Sequence, residues 1–235
     1  MNLKSLALSK ELRHSLVIIL ILSFVFGFND KRETFAFSLW LSNFVHVFVL
    51  VAVTVLVHVI AAKLAANKLG QDAEISLLSF KTKRFGSVPF SPILSMVLML
   101  ISRGMLYFTA VSTIIVKKIP RLSKGFYLDE SKEALIYLWA LASNIILMAI
   151  FNYMDVKAGV LISSYFIFWN LLPIPGIIGS KIFFHNKTLY VSFLVFALLF
   201  LLLFNKVNII LLVVLLVIVA FSVMILWRFK KEYKP

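Results

Sequence analysis

The chain has 235 residues, 62% of them hydrophobic, with a mean hydropathy of +1.01. A soluble domain of this length is nearer half apolar, so the composition excludes an ordinary soluble protein and names the lipid bilayer as a partner. The 24 Lys and Arg outnumber the 10 Asp and Glu, but they sit in short stretches between apolar runs and build no binding face, which excludes nucleic acid as a partner; the lack of cysteine excludes disulfides and thiolate metal sites.

The first element is a basic start, "MNLKSLALSKELRH", followed by an apolar run. Bulky Phe26 and Phe28 stand where a cleaved leader would need small residues, so 14–28 reads as a retained first span. A long second span over 36–62 runs into "HVIAAKLAANKLGQDAEISL". There "AEISLLSF" (73–80) alternates weakly as a short strand would, and "KTKRFG" (81–86) reads as a solvated loop near the headgroups.

The next apolar stretch, 89–116, is long enough to cross once, but Arg103–Gly104 interrupts its middle, and a charge at the bilayer centre is expensive. Further spans follow at 134–153, 157–175, 188–204 and 207–227. If 89–116 dips in and returns, nineteen of the 24 Lys and Arg fall on one side together with both termini, which the positive-inside rule makes cytoplasmic. The alternative is an ordinary seventh crossing with Arg103 facing the bundle. The expectation is therefore an all-α polytopic protein of the cell membrane. It has about six transmembrane helices and a re-entrant segment, folded as one membrane domain over 1–235.

Two polar interruptions stand out in this apolar chain. His58 lies near the cytoplasmic end of the second span. His46 is twelve residues earlier, about 120° away around a helix, so the two do not share a site. The second interruption is "NLLPIPGIIGSK" (170–181), which places Asn170, Pro173, Pro175, Gly176 and Gly179 between apolar runs. No Asp or Glu lies inside any of the six spans. His185, in "FFHNKT", reads as a lone headgroup-level residue.

Together these stretches carry a resemblance. "HVIAAKLAANKLG" followed by "AEI" resembles the zinc-helix segment of the site-2 protease (M50) family of intramembrane metalloproteases, in its archaeal and bacterial type, where H-E-x-x-H precedes a small/basic turn and a Gly. "NLLPIPGIIGSKIFF" resembles that family's second signature, N-x-x-P-x-x-x-x-D-G. "ALIYLWALASNIILMAIF" (134–151) resembles its ALAGPLxN segment, with the Gly-Pro lost and Asn144 kept. The likeness covers about 40–190, flanked by the N-terminal helix 14–28 and the C-terminal helices 188–227.

The resemblance implies the fold and argues against the activity. In such a site two His at i and i+4 hold zinc, the Glu between them activates the bound water, and a distant Asp completes the ligands. The matching positions here are His58, Val59, Ala62 and Ile178. Three of the four have no side chain able to perform the role, and one neutral imidazole does not hold a catalytic zinc. No metal and no cofactor are expected.

The resemblance further implies that the 170–181 loop lines a cleft with His58, Asn144, Asn170, Pro173 and Gly179; the alternative is an inherited loop that is merely packed, with Asn170 capping a broken helix and His58 a hydrogen-bonded packing residue. Non-helical backbone at membrane depth needs protein or a water-filled cavity around it. The leading expectation is a catalytically inactive relative that binds transmembrane segments as an adaptor, regulator or complex subunit. The other readings are a channel, carrier or purely structural subunit, for which Arg103 is the only ionisable candidate within the apolar stretches, and an active metalloprotease with replacement ligands.

Overall fold

The computed structural model describes residues 3–29, 35–82, 86–118 and 130–204; the 207–227 span lies outside the described residues. Seven helices and four short strands make up the described part. They are α1 (Leu3–Gly27), α2 (Phe37–Lys68), β1 (Gln71–Leu77), β2 (Phe80–Thr82), β3 (Gly86–Val88), α3 (Phe90–Ile101), β4 (Ser112–Lys118), α4 (Glu130–Tyr153), α5 (Lys157–Leu171), α6 (Ile178–His185) and α7 (Lys187–Leu203). Two helices, Phe37–Lys68 and Lys132–Tyr153, are long and apolar enough to cross a membrane.

The long helices form over the apolar runs, with Pro92 and Gly159 confined to the first turn of α3 and of α5, and several breaks have a local cause. The end of α2 is followed by Gly70 at φ 70, in the left-handed region that glycine adopts without penalty. At the end of α5, Leu172 turns extended (φ −62, ψ 141) because Pro173 disfavours helical geometry at the residue before it. The helix therefore stops at Leu171 and leaves the rest of the expected 157–175 span as a loop. After α4, the chain reverses through Asp155 (φ 54), with Asp155 N bonded to Asn152 O and Val156 N to Phe151 O. Helices α4 and α5 thus lie antiparallel, α2 packs along α4, and α1 packs on the other side of α2.

The expected all-α class needs correction. β1 pairs antiparallel with β4, from Gln71↔Lys118 to Leu77↔Ser112, and β2 pairs with β3. The weak alternation at 73–80 marks β1, whereas β4, "STIIVKK", is a β-branched run that the apolar stretch before it disguises.

Segment 89–116 doubles back on itself. Helix α3 ends in a reversal at Arg103 (φ 53) and Gly104 (φ 76), with Arg103 N bonded to Leu100 O and Gly104 N to Met99 O. The return limb runs beside the helix: Ser95 Oγ donates to Phe108 O at 2.5 Å, and Ser91 Oγ donates to Ala110 O. At the tip, Asn29 Nδ2 donates to Arg103 O at 3.1 Å. At the other end, Ile75 N on β1 donates to Glu11 Oε1. Glu11 and Phe28 are seventeen residues apart on or just past α1, so tip and sheet are separated by about 25 Å. Arg103, at the middle of the stretch, sits exposed at the hairpin tip, level with the end of α1.

Candidate functional site

Residues from α2, α4 and α5 that are separated in sequence meet in one buried seam. On α2, His58 is fully buried, and so are Asn144 on α4 and Asn170 on α5. His58 Nδ1 lies 2.9 Å from Ala140 O and 2.9 Å from Asn144 Nδ2. The Asn144 amide also donates to Ala140 O at 3.1 Å. The ring of Phe166 packs edge-on against His58, with centroids 5.1 Å apart. One turn further along α5, Asn170 Nδ2 donates to Phe166 O at 2.9 Å. The seam therefore runs Asn144–His58–Phe166–Asn170.

Its hydrogen bonding is incomplete. His58 Nε2, Asn144 Oδ1, Asn170 Oδ1 and Ser163 Oγ are all buried without a partner among the described residues. The imidazole leaves one nitrogen over in either tautomer. If Nδ1 carries the proton it donates to Ala140 O, and Nε2 is a bare acceptor. If Nε2 carries it, Nδ1 accepts from the Asn144 amide, and Nε2–H is an unused donor. Unpaired polar atoms in an apolar interior cost free energy. Four such atoms lie on α2, α4 and α5: one on His58 itself, one on Asn144 and two on α5, at Ser163 and Asn170.

The positions matched to catalytic roles divide between two apolar clusters. Val59 packs, half-buried, against the apolar cluster of Val51, Val55 and Phe166. Ala62 and Ile178 share another cluster with Ala140 and Ile182. Ile178 is fully buried at the start of α6. Gly179 follows it where nothing larger fits: a Cβ there would stand 2.2 Å from Leu171 O. Pro173 and Pro175 are exposed, on the rim and not in the seam. Among the described residues, no three His, Asp or Glu side chains are grouped so that they could hold a metal ion.

A second polar group, unforeseen from the sequence, lies between the start of α4 and α6. His185 was expected to be a lone headgroup-level residue, but its Nε2 donates to Glu133 Oε2 at 3.1 Å. Tyr137 OH reaches the same oxygen at 3.4 Å. Lys181, in the expected 176–187 loop that is in fact α6, donates to Ile114 O on β4 at 2.5 Å, with its ammonium 5.3 Å from the centre of the Tyr137 ring. Burial lowers its pKa to about 8, against the opposing pull of the Glu133 carboxylate. The isolated appearance of His185 hid this arrangement, since its partner is 52 residues away. Ser163 gave no signal at all, being one small residue in an apolar helix.

No family model, curated protein or solved structure was found to match the chain.

Proposed function

We propose that this chain is a multi-pass protein of the cell membrane with a site-2-protease-like layout but no catalytic set. Its role is to hold a transmembrane segment of another membrane protein at the His58–Asn144–Asn170 seam, as an adaptor, regulator or subunit of a complex. The observation that carries this reading is the set of unpaired buried polar atoms, Asn144 Oδ1, Asn170 Oδ1 and His58 Nε2, beside a proline-broken helix end. A transmembrane helix that unwinds locally exposes N–H and C=O groups that need partners in a dry environment. The seam offers such partners, while Val59, Ala62 and Ile178 offer neither a general base nor a ligand. Both termini face the cytoplasm in this reading, and segment 89–116 returns through its hairpin to the side from which it entered, consistent with the charge asymmetry.

Photo-crosslinkers at Leu171 and Ile178 in native membranes test the reading. The expected result is capture of a membrane protein at these sites and of lipid at Leu56, which is 48% exposed on the outer face of α2. Capture of a protein at Leu56 alone would reduce the chain to a structural subunit that binds through its exterior. Elemental analysis after chelator-free purification is expected to find no stoichiometric zinc; one zinc per chain, lost on His58→Ala, would restore the protease reading.

A further inference from the structure

His58, Asn144 and Asn170 have no exposed surface, so a partner reaches them only if some element moves. Segment 172–186 is built to move as a unit. Non-helical residues bound it on both sides, Leu172 (φ −62, ψ 141) before and Asn186 (φ −155, ψ 96) after. Its helix α6 covers the seam from the cytoplasmic end: Ile178 and Ile182 share a cluster with Ala62, one turn past His58, and with Ala140, whose carbonyl His58 contacts.

What holds the segment down is polar and comes from elements outside it. Thr113 Oγ1 on β4 donates to Gly176 O at 3.0 Å. Lys181 Nζ donates to Ile114 O. His185 Nε2 donates to Glu133 Oε2 on α4, a side chain only 12% exposed. Apolar packing of Ile178 and Ile182 contributes little against opening where lipid tails can take the place of protein, because a tail is as apolar as the surface it covers. The polar ties carry the discrimination, and a mostly buried carboxylate that keeps only the longer Tyr137 hydroxyl contact of 3.4 Å opposes opening.

We propose that the 172–177 loop and α6 form a gate over the buried seam, latched to α4 by Glu133–His185 and to β4 by Lys181–Ile114 O and Thr113–Gly176 O. The gate rests on the reading of the seam as the binding site, yet it is testable without any partner. The native chain has no cysteine, so Asn170→Cys and Ser163→Cys each supply a single buried thiol. The measurement is the rate of their modification by membrane-permeant N-ethylmaleimide in native membranes, with Leu147→Cys in α4 as the control. Opening-limited labelling follows the open population, so Glu133→Ala or His185→Ala is expected to raise the rate at both seam thiols about tenfold and leave the control unchanged. Amide hydrogen exchange is expected to rise in 178–185 and not in 134–153. Unchanged seam rates, or an equal rise at Leu147→Cys, overturn the gate. Accelerated seam labelling combined with no protein captured at Leu171 and Ile178 leaves the gate standing and removes the transmembrane-segment reading.

Discussion

His58 and Asn144 stand 86 residues apart in the chain, yet His58 Nδ1 lies 2.9 Å from the Asn144 amide nitrogen, with both side chains fully buried. The contact joins α2 to α4 through polar groups in an otherwise apolar interface. Hydrogen bonds between membrane helices are worth roughly 0.6 kcal/mol on average, and the atoms left unpaired here work against that gain.

The stability contribution of the pair is accordingly small, and replacing both partners is expected to cost less than breaking it. His58→Ala alone is expected to destabilise by about 2 kcal/mol, because it opens a cavity and frees the Asn144 amide. The double variant His58→Phe with Asn144→Leu is expected to be near neutral, since no polar atom of the pair is then left in the interface. Reversible unfolding in mixed micelles checks this; a double variant as unstable as the single one would mean that the pair holds the fold together.

Gly179 supports α6 by absence of a side chain. A Cβ there would lie 2.2 Å from Leu171 O and 2.6 Å from Leu172 O, both backbone atoms that cannot swing away. Gly179→Ala is expected to lift the start of α6 and to cost about 2–3 kcal/mol, as overpacking does. Gly27→Ala is the contrast. Its Cβ would meet the Phe44 ring at 3.2 Å, a side chain that can shift. Thermal midpoints in one detergent should fall clearly for the first variant and barely for the second.

The hairpin makes a topological prediction. Arg103 shares the level of Asn29, while β4 shares the level of Glu11 through the paired strand β1. Arg103→Cys is expected to react with an impermeant thiol reagent added outside, and Lys117→Cys only with reagent added inside. Outside reaction at both positions would mean that the segment crosses once.

Long helices were legible because apolar runs without breaks admit few other structures in a bilayer. His58 and Asn170 were legible because a polar residue in such a run is conspicuous. Short elements were not. Helix α6 has eight residues and is held by contacts from α4 and β4, so its own residues do not announce it. β4 was hidden within an apolar stretch, and its pairing with β1 is a long-range fact. Arg103–Gly104 was legible as the interruption of its stretch, and it marks the turn of the hairpin. A chain that reverses puts its midpoint at the far end. The Glu133–His185 contact joins one residue at the start of a helix to another in an expected loop, and neither carries a motif.

Lys181 yields a prediction with a defined sign. Burial withdraws its ammonium from water and lowers its pKa from an ordinary value near 10.5 to about 8, while the Glu133 carboxylate pulls the other way. Below pH 8 both the folded and the unfolded chain hold this proton, and the folded state bears the full desolvation penalty. Between about 8 and 10.5 the unfolded chain still binds the proton that the folded one has released, so stability attributable to Lys181 rises with pH across that window. The Lys181→Met variant removes the group and should flatten this rise. Competitive acetylation over the same range should show Lys181 becoming reactive with a midpoint near 8, and Glu133→Gln should move that midpoint lower by removing the opposing charge. A midpoint near 10.5 would mean that Lys181 is hydrated and does not sit against Ile114 O, and the tie between α6 and β4 would be lost with it.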